Sequence, residues 1–117
     1  MIKKPFTLLA AAIALVLVAA TSANAAVDVE AAKALAKADD CLKCHAAEKE
    51  KKGPSMKEIA DKYRGKADGQ EKAIKNMTEA MEVELRPKGS GKKEKHKVIS
   101  TKKPEELKNM ADWYLSH

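Results

Sequence analysis

The stretch that decides the fold is ADDCLKCHAAEKEKKGPSM, residues 38–56, which contains both cysteines of the chain and one of its three histidines. Cys41 and Cys44 are three residues apart, and His45 follows the second thiol directly. C-x-x-C-H is the attachment signature of c-type haem, because two thiols on one turn can form thioethers with the two vinyl groups of a haem. The next imidazole then binds the iron as proximal ligand. The motif predicts one haem c, covalent through Cys41 and Cys44, with His45 on the metal.

Three other uses of these thiols are open on spacing alone. A redox dithiol of the thioredoxin kind would be expected beside a βαβ pattern, and the sequence shows no such pattern. A structural disulfide would need only an oxidising compartment. A zinc site would need a fourth ligand far along the chain. The histidine directly after the second thiol favours haem over all three.

The N-terminus has the pattern of a secretory signal. Lys3 and Lys4 precede an apolar run over residues 8–20, and small residues up to Ala25 follow it. The run is shorter than the ~20 apolar residues that a spanning helix needs. We expect residues 1–25 to be a cleaved signal peptide and residues 26–117 to be one domain, periplasmic and without stable membrane insertion. An uncleaved anchor is the alternative.

Composition limits what this domain can be. The 117-residue chain has one Phe, one Trp, two Tyr and a formal net charge of +6. A small domain with so few aromatic residues has a thin core, and a haem would supply the missing apolar filling. Nucleic acid is an unsuitable partner, because the basic residues have no aromatic platform beside them and the chain carries an export signal.

The hydrophobic pattern predicts an all-α fold of about four helices around one haem, without convincing strand alternation. We expect a first helix over residues 28–40, a second that begins with the Ser55–Glu58 capping box and ends at Gly65, and a fourth that begins at Pro104. Asp68 and Glu71 repeat the capping pattern before a third helix, which Pro87 ends. Its apolar stripe consists of Ile74, Met77, Met81 and Leu85. Residues 86–103 read as a long basic loop.

The mature sequence resembles class I monohaem c-type cytochromes over most of its length. A helix leads into C-L-K-C-H, and GPSMKEIADKYRG (residues 53–65) is similar to the family's Gly-Pro and short helix. AIKNM (73–77), GSG (89–91) and LKNMADWYLS (107–116) follow in the family's order. The resemblance implies terminal helices that cross, with Trp113 or Tyr114 near Ala34 and Ala38. It also implies that the carbonyl of Pro54 accepts a hydrogen bond from His45, which would orient the ring.

The family usually supplies a Met ligand from its distal loop, and residues 86–103 contain no Met. His96 is the strong neutral ligand of this segment, so we expect bis-histidine iron with His45 proximal and His96 distal. The alternatives are a solvated His96, ligation by Met77 or Met81, and an open iron. As helical Met residues, Met77 and Met81 are expected to line the haem pocket without binding iron.

These features predict an exported one-electron carrier of low potential and no enzymatic activity, because no distal acid–base pair is recognisable. The alternatives are a haem protein that binds or senses NO or CO, and a haem subunit of a larger oxidoreductase. The expected partners are redox proteins with an acidic docking face. Lysines of the basic loop would steer such a partner, namely Lys88, Lys92, Lys93, Lys95 and Lys97.

Overall fold

The computed structural model describes residues 26–117, so the predicted signal peptide, residues 1–25, lies outside the described residues. The described chain forms four α-helices, one short 3₁₀ turn and one two-stranded hairpin. In chain order these are α1 (Val29–Ala38), the 3₁₀ turn (Cys41–Lys43), α2 (Met56–Tyr63), α3 (Gly69–Thr78), β1 (Glu82–Glu84), β2 (Lys93–Lys95) and α4 (Pro104–Leu115). The prediction of a small, mainly helical fold with about four helices is confirmed.

The N-terminal end of α1 packs against the middle of α4. Asp28 caps α1, since its side chain accepts a hydrogen bond from the Ala31 amide at 3.1 Å. The backbone of the same residue exchanges two hydrogen bonds, both 2.9 Å, with the Asn109 side chain on α4. The buried face of α1 consists of Ala32 and Ala36. The expectation that Ala34 and Ala38 face α4 is therefore wrong: both are exposed.

The core is built largely from small side chains. Within residues 26–117, five of the ten buried apolar residues are Ala, and Met110 is the largest fully buried side chain. One cluster joins α1, α2, α4 and the segment before α4 through Ala32, Ala36, Met56, Ile99, Met110, Trp113 and Tyr114. Alanines allow the helices to approach closely, but they contribute little apolar area. The protein's own side chains therefore form the thin core that the composition predicts.

Local capping signals set the start of α2 and α4 but not of α3. The Ser55 hydroxyl accepts from the Glu58 amide at 3.1 Å, and Pro104 occupies the first turn of α4. Asp68 precedes α3 without a side-chain cap bond; its carboxylate instead pairs with Lys72 at 3.3 Å. The capping prediction is therefore correct for Ser55 and wrong for Asp68.

The structure corrects the expectation of a longer third helix followed by a long loop. Helix α3 ends at Thr78, and β1 pairs antiparallel with β2. Two cross-strand pairs place opposite charges together, Glu82 with Lys95 and Glu84 with Lys93, a pattern that stabilises antiparallel pairing. Met81 lies just before β1 and outside α3, so it belongs to the hairpin rather than to the helix. None of the helices within residues 26–117 is long and apolar enough to cross a membrane.

Candidate haem-binding site

The C-x-x-C-H motif forms a tight turn directly after α1. Asp40 adopts the left-handed conformation with a φ of 59°, which Asp tolerates better than most residues. The Cys41 carbonyl then accepts from the amides of Cys44 at 3.2 Å and His45 at 3.0 Å. Both thiols are free and partly buried. The turn therefore presents two thiols and one imidazole from five consecutive residues, as thioether attachment requires.

The environment of Cys41 does not suit dithiol redox chemistry. Burial raises the pKa of the Cys41 thiol, and the Asp39 carboxylate raises it further. Burial also raises the pKa of the neighbouring Tyr114 hydroxyl above its ordinary value. Catalytic dithiols need a depressed thiol pKa and an electropositive surrounding. Cys41 is instead a neutral thiol in a partly apolar site.

The ring of His45 is oriented by the loop that follows the motif. Its Nδ1 donates to the Pro54 carbonyl at 2.7 Å, the hydrogen bond that the resemblance implies. Because a carbonyl can only accept, Nδ1 has the proton and the lone pair lies on Nε2. Burial lowers the pKa of His45, while the Pro54 hydrogen bond opposes this shift. A neutral imidazole with a fixed tautomer is the form that binds a metal.

Gly53 allows the loop to approach the His45 ring closely. A Cβ atom at this position would lie 2.8 Å from Cε1 of His45 and 3.2 Å from the Cys44 carbonyl oxygen. The Gly53 amide donates to that same carbonyl at 3.0 Å, so the backbone has little freedom to move away. A side chain at residue 53 would therefore displace the imidazole that Pro54 orients.

We expect Gly53→Ala to lower the free energy of unfolding by about 1–3 kcal/mol, the usual cost of overpacking, and to perturb the haem spectrum. Thermal unfolding of the haem-bound protein followed in the Soret band measures both effects. Gly91→Ala is the matched control: its backbone has a φ of 72°, but no atom lies within 4 Å of the added Cβ. The control should lose stability without a spectral change. Equal spectra for the two variants would show that the close contact with His45 is unimportant.

His96 follows β2 and begins the distal segment, residues 96–100. The His96 amide donates to the Met81 carbonyl at 2.7 Å, and the Ile99 amide donates to the Met77 carbonyl at 2.8 Å. Nδ1 of His96 is buried and has no hydrogen-bond partner within the described part of the chain. Buried polar atoms are nearly always paired, so this nitrogen indicates a site for a group bound by the ring.

The two imidazoles lie close together and tilted relative to each other. The ring centroids of His45 and His96 are 6.2 Å apart, and the planes are inclined by 44°. Two imidazoles that bind one metal from opposite sides, with metal–nitrogen bonds of about 2.0 Å, have centroids roughly 6 Å apart. The separation therefore fits one metal ion between the two rings, and the residues of the motif fit a haem that supplies it.

The two candidate Met residues contact the distal segment through their backbones, and their expected place in the lining of the haem pocket stays a prediction. Met77 is partly buried against the main core cluster, and Met81 is half-buried at the base of the hairpin. Their backbone carbonyls accept the hydrogen bonds that position the distal segment. Met81 thus contacts His96 directly, whereas Met77 contacts Ile99 three residues further along the distal segment.

Helix α4 closes the pocket behind His45. The Tyr114 ring lies edge-on to the imidazole, with centroids 6.1 Å apart and an interplanar angle of 88°. Trp113 packs edge-on against Tyr114 at 5.4 Å. Edge-to-face packing of this kind stabilises both rings in one orientation. The sequence placed these aromatic residues on α4 but gave no sign that Tyr114 touches His45.

A carboxylate pair before the motif was missed by sequence reasoning. Asp39 is buried, and its Oδ2 accepts from the amide of Ser100 at 2.9 Å and from its hydroxyl at 3.0 Å. Asp40 pairs with Lys97 at 2.8 Å, which holds the pKa of the Asp40 carboxyl below its usual range. The available signal was two adjacent acids at the end of an apolar helix, where negative charge is unfavourable.

Comparison with known proteins agrees with this geometry. The family model for cytochrome c matches residues 29–117. Among solved structures, the chain is similar to the class 1 cytochrome MtoD from Sideroxydans lithotrophicus ES-1, with 49% sequence identity and a TM-score of 0.71. The match covers 78% of this chain and 97% of that chain. No curated protein sequence matches. The described chain thus belongs to the cytochrome c family, class I in type, whose members attach haem c covalently, carry electrons between redox partners and are typically exported.

Proposed function

We propose that this protein is a periplasmic one-electron carrier of low potential, with a single haem whose iron is bound by His45 and His96. The observation that carries the proposal is the proximity of two imidazoles, with ring centroids 6.2 Å apart and one ring oriented by Pro54. The count of one haem rests on the one C-x-x-C-H motif in the chain. The periplasmic location rests on the signal-like pattern of residues 1–25.

The haem would supply reversible one-electron exchange, and the chain's own residues would set its reduction potential. A thioether ligand favours reduced iron and raises the potential, and an imidazole removes that bias. The Pro54 carbonyl makes the His45 imidazole more electron-rich, which favours the oxidised metal. The resemblance implies the same proximal hydrogen bond in His/Met carriers of the family. The ligand choice is therefore what favours a potential below that of a His/Met carrier.

Absorption and near-infrared spectra of the haem-bound protein test the ligand set. A six-coordinate, low-spin spectrum in both oxidation states, slow or absent CO binding, and no charge-transfer band of Met ligation would support His96 as sixth ligand. Five-coordinate reduced iron that binds CO at once would instead support a gas-binding or catalytic role. A Met band in the oxidised protein would assign the ligand to Met77 or Met81 and contradict the proposal.

We infer that the partner presents an acidic face to the hairpin. Within residues 26–117, Lys93 of β2 and Lys97 of the distal segment form ion pairs with Glu82 and Asp40, at 3.8 and 2.8 Å. Lys88, Lys92 and Lys95 are exposed on the hairpin and its turn. Positive charge beside the site where electrons enter and leave increases the association rate of an acidic partner, and salt screens this effect.

The reversal Lys88→Glu with Lys92→Glu is expected to slow oxidation by ferricyanide about tenfold at low ionic strength, because local charge steers anionic reagents. Stopped-flow kinetics measures this rate constant across a salt series. Lys62→Glu with Lys108→Glu is the matched control, since it makes the same change in net charge on α2 and α4. The control should slow the reaction much less. Equal slowing, or a rate constant that does not depend on salt in the parent protein, would contradict steering by the hairpin.

A further inference from the structure

The distal segment is tied to the same turn that presents the proximal residues. Asp39 and Asp40 directly precede Cys41, and they contact Ser100 and Lys97 of the distal segment. On its other side the segment is bonded to the carbonyls of Met77 and Met81. His96 is therefore bracketed between α3 and the end of α1. The two backbone contacts are available to any sequence, whereas the two carboxylate contacts depend on side chains.

The two carboxylates differ in burial. Asp39 is 8% exposed, and one of its oxygens accepts two hydrogen bonds from Ser100. The Asp40–Lys97 pair is open to water, with side-chain exposures of 41% and 63%. Charge-assisted hydrogen bonds to a buried carboxylate are strong, whereas exposed ion pairs contribute little. The Asp39 contact should therefore dominate the position of the segment.

Asp39 has no evident use in the helix to which it belongs. It is the C-cap of α1, where the helix dipole disfavours negative charge, and it is buried, which disfavours charge again. Two local penalties at one residue indicate that its favourable interactions lie elsewhere. Those interactions join residues that are 61 positions apart in the chain.

We propose that Asp39 is a positioning residue for His96: by fixing Ser100 it keeps the distal imidazole opposite His45. This inference rests on the proposed ligation by His96. Loss of the Asp39 carboxylate leaves only the exposed Asp40–Lys97 pair on that side of the segment, so His96 would leave the iron more often and an external ligand would gain access. The residue acts through the distal segment and does not itself contact the ligand.

CO binding to the reduced, haem-bound protein tests this proposal, with carbon monoxide as the probe. Asp39→Ala is expected to raise the CO association rate about tenfold, because CO binds only the fraction of molecules in which His96 has left. Asp39→Asn, which keeps one acceptor oxygen, should fall between Asp39→Ala and the parent protein. Asp40→Asn is the matched control, since Asn also tolerates a positive φ, and its rate should change less than about twofold.

These variants distinguish the proposed ligation by His96 from the proposed positioning role of Asp39. His96→Ala should bind CO faster than every other variant; if its spectrum and rate equal those of the parent, His96 is not a ligand and both proposals are overturned. If His96→Ala binds CO rapidly while Asp39→Ala behaves as the parent does, the role of Asp39 alone is overturned. Should Asp39→Ala fail to retain haem, Ser100→Ala removes one of the two hydrogen bonds at an exposed position. A rise of roughly threefold would support the proposal, and an unchanged rate would overturn it.

Discussion

His96→Met is expected to raise the midpoint potential of the haem by on the order of 100 mV, because a thioether favours reduced iron and axial ligands set haem potentials over a wide range. Spectroelectrochemical titration measures the shift, and the near-infrared band of Met ligation reports whether the new side chain binds. The Met81 contact to the His96 amide involves only backbone and survives the substitution.

A neighbouring substitution separates ligand exchange from a general effect of the hairpin. Lys95→Ala alters the residue next to His96, but Lys95 is exposed on β2. Its removal should shift the potential by only about 20 mV, since a charge in water is strongly screened. If His96→Met shifts the potential no more than Lys95→Ala does and shows no Met band, His96 does not bind the iron.

Replacing both attachment thiols, Cys41→Ser with Cys44→Ser, is expected to abolish haem retention and with it most of the helical structure. Five of the ten buried apolar residues in the described domain are Ala, so the domain's own side chains bury too little apolar area to offset the entropy of folding. Circular dichroism measures the loss of helix. Extraction with acidified organic solvent then shows whether any pigment is bound covalently.

The single variants Cys41→Ser and Cys44→Ser are the controls for this experiment. Each keeps one thioether together with His45, and each should therefore retain haem and helix at lower stability than the parent protein. A double variant with the parent's helical content would show that the core is sufficient without haem. Pigment that remains attached to the double variant after extraction would show that the thiols are not the attachment points.

The parts of this fold that could be predicted from sequence are those fixed by neighbouring residues. Asp28, Ser55 and Pro104 mark helix starts because each signal acts within one turn. The C-x-x-C-H motif is equally local. The hydrogen bond from His45 to Pro54 could be expected from the family resemblance. Both residues lie within the one stretch that carries the resemblance, nine positions apart.

The parts that could not be predicted depend on distant contacts. Met81 and Leu85 continue the apolar period of α3, yet the helix stops at Thr78 because the following residues pair with β2. Three-residue strands such as Glu82–Glu84 are too short to show alternation, and their pairing is visible only when opposite charges are aligned across the turn. The contact of Asp39 with Ser100 joins residues 61 positions apart, and no hydrophobic pattern in either segment predicts it.

The hairpin has a consequence for how the protein behaves in a crowded compartment. A sheet of two strands has an open edge on each side, and an open edge can add a strand from another molecule and so begin aggregation. Five of the six strand residues here are Glu or Lys, with Val83 as the exception. A strand from another copy would have to remove water from these charged side chains, which is costly, and it would find little apolar surface in return. The charged composition of both strands thus makes the edges of the hairpin poor templates for a third strand.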